Sequence, residues 1–322
     1  MQTPPTAKIA PSAHFRPRNK IHKPPLAAVL RRRWRLYVML IPATVFLALF
    51  HFYPLWGVGL AFVEYNPFKG LMGSEFVGLG QFKLLFGRKE SWLLVRNTLL
   101  IATGKIVFGT IAALAFALLL HEVRFRLFKR AVQTVTTLPH FLSWVIIGGI
   151  MVQILSSTGM VNQAITLLSL KPIGFLSQPA IFPWTLILSE TWKEFGFGSV
   201  IYLAALTAIN PELYEAAAVD GAGRAARLRH ITLPGITPTI VLMACLSLGN
   251  VLNAGFEQVL VLENPVVYST GDILDTWVYR VGLLGANYSL GTALGLAKSV
   301  VGFFLILLSY WLADRLANYR IF

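Results

Sequence analysis

The stretch "YEAAAVDGAG", Tyr214 to Gly223, lies between two long apolar stretches and runs straight into Arg224, Arg227 and Arg229. Its wider context, "AINPELYEAAAVDGAGRAARLRHITLPGITP" at 208–238, reads as local physics. Asn210 suits a helix N-cap and puts Pro211 at the first helical position. Glu212 falls in the first turn, where the helix dipole favours an acid. Leu213, Ala216, Ala217 and Ala218 favour helix. Asp220 and Gly221 stop it, because glycine readily takes the left-handed conformation at a helix end. Leu233 and Pro234 are expected to break the chain before the next apolar span. The expectation is a short capped helix, a glycine turn and a second, basic helix. Small alanines let another surface approach closely, while Glu215 and Asp220 supply polar grip. On composition alone, an ordinary surface hairpin fits equally well.

The surrounding chain is 56% hydrophobic and 13% charged over 322 residues. That is too apolar for an ordinary soluble domain and too poor in charge for a disordered one. The net charge of +14 would suggest nucleic acid as a partner in a soluble protein. Here the basic residues cluster between apolar spans, so topology accounts for them and no nucleic acid is expected. Cys245 is the single cysteine, which excludes an internal disulfide and reads as a packing residue.

A spanning helix needs about 20 mostly apolar residues. Six segments qualify: 37–62, 99–120, 136–155, 181–206, 237–257 and 289–313. Lysine and arginine alternate between the connections. The tail with "RRRWR" at 31–35, the loop "HEVRFRLFKR" at 121–130, the loop with Arg224, Arg227 and Arg229, and the end with Arg315 and Arg320 are rich in them. The intervening loops are poorer. The bias predicts an all-α integral membrane protein with six transmembrane helices and both termini in the cytoplasm. "YEAAAVDGAG" is then cytoplasmic. Residues 1–36 form a basic, proline-containing cytoplasmic tail, disordered or along the membrane surface, and 37–322 the membrane domain. The first span reads as a retained anchor, not a cleaved signal.

"EAAAVDGAGRAARLRHITLPGITP" resembles the EAA motif of permease subunits in bacterial type I ABC importers. The pattern is met by Glu215, Ala216, Ala217, Asp220, Gly221, Ala222, Ile231, Leu233, Pro234 and Pro238, with Leu228 where such permeases often carry phenylalanine. "FVGLGQFKLLF", 76–86, resembles a segment after the first span of sugar permeases. The stretch from Asn264 to Ser299 is similar to importers of complex oligosaccharides, several rich in uronic acids, and most of all to alginate-oligosaccharide permeases. The resemblance implies the MetI-like fold in the bacterial cytoplasmic (inner) membrane. It implies a coupling loop over about 208–236 that docks Glu215, Ala216, Ala217, Asp220, Gly221 and Arg224 on an ATPase. It also implies a second permease, two cytoplasmic ATPase subunits and an extracytoplasmic solute-binding protein. Arg224, Arg227 and Arg229 answer either acids on the ATPase or the positive-inside bias alone. A permease for neutral plant-polysaccharide oligosaccharides is the alternative, and an ATPase-independent secondary transporter a more distant one.

No catalytic residue or cofactor of this chain's own is expected. "GTALGLAKS", 291–299, lacks the spacing of a phosphate-binding loop, so ATP and Mg belong to a partner ATPase. Its Gly291-x-x-x-Gly295 spacing instead allows close helix packing. No His/Cys cluster has metal-ligand spacing, and no G-x-S-x-G element is present. Polar groups do occur inside the spans, where a charge costs on the order of 2.5–3.5 kcal/mol. Glu190, Lys193 and Glu194 share one face of span four, where Lys193 can neutralise one acid. Asn250, Asn253 and Glu257 read as one face of span five. Lys105 and Lys298 lie in spans two and six, with Trp192 and Phe197 as nearby rings. The set reads as a polar passage for an oligosaccharide or as a structural ion-pair network, and the sequence leaves both open.

Overall fold

The structure, a computed structural model, describes residues 26–317. The expected tail therefore lies outside the described residues up to position 25, as does Arg320. By its packing the chain divides into two units, Met1–Trp56 and Gly57–Phe322.

In the first unit, α1 (Leu26–Leu47) continues into a π-helical turn at Ala48–Phe52. The following 3-10 stretch, Tyr53–Phe62, carries the chain into the second unit. Strands β1 (Val63–Glu64) and β2 (Glu75–Phe76) then pair antiparallel around one helical turn, α2 (Gly70–Gly73). This two-residue ladder leaves the fold all-α, as expected. Next come α3 (Gly80–Gly87), the long α4 (Lys89–Glu122), α5 (Arg126–Thr137), α6 (Trp144–Leu155), α7 (Met160–Leu167) and α8 (Phe182–Thr207). The 208–232 region supplies α9 (Pro211–Val219) and α10 (Arg224–Arg227), which lead into α11 (Leu233–Gly249). After α12 (Phe256–Leu262) and the single turns α13 (Tyr268–Gly271) and α14 (Leu274–Trp277), α15 (Tyr288–Ala317) closes the fold.

The frame of the second unit is the pair α4 and α8, which run side by side in the same direction. Near their starts Ile101 and Ala102 share a core with Phe182 and Leu186. Near their ends Ala113, Ala117 and Leu120 pack with Tyr202, Leu203 and Leu206. Ala113 and Ala117, four residues apart, keep that face of α4 small and let the helices approach closely. Ile236 of α11 joins the second core, so the 123–130 loop and the 208–232 region emerge at the same end of the bundle. On the other flank α11 packs on α15, where the Ser309 hydroxyl donates to the buried Cys245 carbonyl.

Five segments among the described residues are long and apolar enough to cross a membrane: Trp34–Phe62, Lys89–Glu122, Trp144–Leu167 (α6 and α7 with the turn at 156–159 between them), Arg224–Gly249 and Tyr288–Arg315. Two expected spans are corrected. The third begins at Trp144, not Thr136, because the chain breaks at a 3-10 turn, Leu138–Phe141, that contains Pro139. The fifth ends at Gly249, so Asn250 and Asn253 stand in the turn beyond it and Glu257 on α12; the three do not share a helix face. The expected break at Leu233–Pro234 is also absent. A π-helical turn, Leu228–Thr232, sits just ahead of Pro234 and absorbs its missing amide and ring, so the helix continues. The glycine spacing in α15 is half used. A Cβ on Gly291 would come within 2.8 Å of the Gly282 Cα, whereas Gly295 faces open space.

Candidate functional site

At the end where α8 finishes, the Asn210 side chain accepts from the Glu212 amide at 3.1 Å and starts α9, with Pro211 at the first position. The helix stops in a Schellman turn. The Ala222 amide donates to the Ala217 carbonyl at 2.8 Å and the Gly221 amide to Ala218 at 3.2 Å, with Gly221 at φ +75°. Two side chains hold this turn to the helix beyond. Arg227 Nε donates to the Ala222 carbonyl at 2.8 Å, and the Tyr214 and Thr232 hydroxyls lie 3.0 Å apart.

Everything outside those braces points away from the protein. Glu215, Ala216, Asp220, Gly221 and Arg224 are exposed and Ala217 is half-buried. Val219, which the sequence reading passed over, is 88% exposed. The result is a small-residue surface that carries Glu215 and Asp220, with Val219 as its most exposed large apolar side chain. Arg227 is engaged within the loop, whereas Arg224 and Arg229 are exposed.

A second set of polar groups lies deeper. Lys105, Glu190, Glu194, Asn250 and Asn253 line one cavity of about 420 Å³, together with Met243, Leu246 and Ser247. Lys105 Nζ stands 3.7 Å from Glu190 Oε2, and donates to the Ala254 carbonyl at 2.5 Å and to Gln258 Oε1. The Glu190 Oε2 atom accepts no hydrogen bond. Lys193 is buried behind the cavity wall. Its ammonium meets Glu194 Oε1 at 2.7 Å and the His140 carbonyl at 3.1 Å, while His140 Nδ1 meets Glu194 Oε2 at 2.7 Å. The His140 ring lies flat on Phe197, centroids 3.9 Å apart. Each buried cation thus faces a carboxylate, as a low-dielectric setting requires.

Lys298 belongs to a neighbouring cavity of about 600 Å³, which it lines with Asn253, Phe256, Asp275, Tyr279 and Tyr288. Its ammonium holds both Asp275 oxygens, at 2.6 and 2.8 Å. Asn253 lines both cavities. Trp192 and Glu257 are exposed and line neither.

Sequence reasoning missed Gln258 and His140. Gln258 is fully buried, and its amide donates to the Leu186 carbonyl and to Ser189 Oγ, both at 2.8 Å, so it ties α12 to α8 while accepting from Lys105 on α4. A glutamine inside "FEQVLVL" was the available signal. His140 carried none, since its partner Glu194 lies 54 residues away. Among the described residues no three His, Cys, Asp or Glu side chains gather as a metal would require.

Residues 105–318 match the family described as binding-protein-dependent transport system inner membrane component. The chain belongs to that family. This permease is 43% identical over 291 residues to Protein LplB of Bacillus subtilis (strain 168), covering 90% of this chain and 91% of that one. It is 40% identical over 288 residues to the polygalacturonan/rhamnogalacturonan transport system permease protein YteP of the same organism, covering 89% and 90%. Its fold superposes on a chain of the bacterial alginate ABC transporter, solved with an alginate pentasaccharide-bound periplasmic protein. The TM-score is 0.83 at 37% identity, over 92% of this permease and 99% of that chain. The fold is that of an ABC-importer permease, and the exposed α9 turn lies within the family match.

Proposed function

We propose that this permease is the transmembrane subunit of an ATP-driven importer that carries uronate-rich oligosaccharides across the bacterial cytoplasmic membrane. Its partners are a second permease, two cytoplasmic ATPase subunits and a solute-binding protein. ATP and Mg are used by the ATPase. The observation that carries the reading is the exposed face of α9, whose braced turn leads through one helical run, Arg224–Gly249, to Asn250 at the cavity. Closure of the ATPase pair on ATP moves α9, and the run carries that movement to the cavity. The acidic substrate rests on the polygalacturonan and rhamnogalacturonan named for YteP and the alginate named for the structural relative.

In this reading α8 is the sixth span. Its charges are neutralised in pairs, Lys105 with Glu190 and Lys193 with Glu194, which lowers the cost of placing it in a membrane. The α9 end and both termini face the cytoplasm, 1–36 is a cytoplasmic tail, and 37–322 is the permease domain. The 420 Å³ cavity and its neighbour at Lys298 form part of the substrate path.

One observation favours a neutral oligosaccharide instead. Lys105, Lys193 and Lys298 are each occupied by a carboxylate of this chain, so none stands free to answer a uronate. The test is ATPase activity and uptake by the whole complex in proteoliposomes, with the binding protein loaded with uronate or neutral oligosaccharides. Stimulation by uronate supports the proposal. Stimulation by neutral sugars alone keeps the importer and discards the acidic substrate. Failure of the subunit to retain any ATPase under mild solubilisation overturns the docking role of α9.

A further inference from the structure

We propose that the segment Arg124–Val135 is a binding site for anionic phospholipid headgroups, and that it connects the lipid to the cavity. Arg124, Arg126, Lys129 and Arg130 stand together, and no acidic residue occurs from Val123 to Ser189. None of the four makes an ion pair among the described residues, although every lysine of the cavities does. The segment is also strongly apolar on its outside. Phe125 is 80% exposed, Leu127 83% and Phe128 58%.

Helical spacing sorts these side chains. Leu127, Phe128, Ala131 and Val135 share one exposed face of α5, and Arg126 and Arg130 flank the opposite side. The half-buried face, with Val132 and Thr136, turns toward α8. Val132 joins the core around Leu203, and the Thr136 carbonyl lies against Gly196. So α5 enters at the coupling end and runs inward along α8. Its first turn lies at the end of the apolar bundle, where hydrocarbon gives way to headgroups. Aromatic and aliphatic side chains there sit in the acyl region while arginines reach to phosphates. The occupant argued for is a lipid, because cations alone would fit an acidic protein equally, but cations alternating with exposed Phe125, Leu127 and Phe128 fit the two-phase boundary.

The site has a route inward. Beyond α5 the chain turns at Leu138–Phe141, and His140 there pairs with Glu194 while its carbonyl accepts from Lys193. A headgroup held at Arg126 and Arg130 fixes the position of α5, and through it the ion-pair cluster beside the cavity.

The test uses the whole transporter complex in nanodiscs of phosphatidylcholine alone or mixed in equal parts with phosphatidylglycerol. An Arg124→Gln, Arg126→Gln, Arg130→Gln triple variant is compared with a triple Arg→Lys control that keeps the charge. Native mass spectrometry counts retained phosphatidylglycerol, and ATP hydrolysis is read in parallel. The expected result is about tenfold less retained lipid in the glutamine variant, loss of stimulation by phosphatidylglycerol, and wild-type behaviour in the lysine control. Equal lipid retention by all three forms overturns the proposal. So does loss of the ATPase subunit from the glutamine variant with lipid retention unchanged, which would assign the segment to the ATPase instead. These readouts do not depend on the transported sugar.

Discussion

Tyr214 on α9 and Thr232 in the turn that feeds α11, 18 residues apart, meet hydroxyl to hydroxyl at 3.0 Å and tie α9 to the start of α11. A hydrogen bond of this kind is worth about 1 kcal/mol, a factor of about five. Tyr214→Phe is expected to lower transport per ATP hydrolysed by roughly that factor, with the same amount of ATPase bound. Unchanged transport stoichiometry would remove the brace from the coupling route.

Gly221 is held at φ +75°, a conformation that costs an ordinary L-residue about 1–2 kcal/mol. Transport should fall in the order glycine, asparagine, alanine at this position, since asparagine tolerates the left-handed region. Gly221→Asp and Glu215→Lys should abolish uptake and leave membrane insertion intact. Immunoblots of membrane fractions beside uptake assays decide it, and normal uptake by either variant would sink the docking assignment.

Lys105 and Glu190 form a pair between α4 and α8 that is largely removed from solvent. Removing one partner of such a pair costs about 3–5 kcal/mol, because the other is left buried and charged. Lys105→Met alone should therefore unfold the purified complex at a markedly lower temperature, and adding Glu190→Gln should recover most of the loss. Simple additivity of the two substitutions would show that they do not act as a pair.

Glu263, Asp272 and Arg280 place two acids on one guanidinium. Asp272 takes the closer contact, and Glu263 Oε2 accepts no hydrogen bond. Burial first, and the Asp272 charge second, push the Glu263 carboxyl from its ordinary 4.5 up to about 7, against the pull of Arg280. The fold thus prefers the protonated acid. Its contribution is complete below about 4.5 and is lost as pH rises through about 7. Between those limits the local stability should fall as pH rises. Amide exchange over residues 263–281 should accelerate with pH beyond its intrinsic rise in the wild type, and Glu263→Gln should abolish that excess.

What was legible in the sequence was what is decided locally. The α9 helix, its Asn210 cap and the Gly221 turn depend on neighbours within four residues, and the structure has all three. The α8 helix also matches its apolar run within one residue at each end. The errors came where distant groups intervene. Pro234 reads as a breaker because nothing in the sequence marks the π-helical turn that accommodates it. Asn250, Asn253 and Glu257 keep helical spacing, yet the chain leaves the helix after Gly249. The pairing of Lys105 with Glu190 and Gln258 joins three helices, and a single sequence carries no record of which polar residues meet.

The π-helical turn at Leu228–Thr232 has a mechanical consequence. It lies inside a run of 26 residues, about 39 Å at 1.5 Å per residue. A π turn holds one more residue than the α-helix around it needs, so it can migrate along the helix without breaking the chain. Each residue it passes is rotated by about 100° and shifted by about 1.5 Å along the axis, while the portion beyond keeps its place. If α9 docks an ATPase as proposed, a push at Gly221 has two ways to arrive at Asn250: as a thrust along a stiff rod, or as a click in which the π turn travels and the stretch of α11 it crosses presents a different side to the cavity.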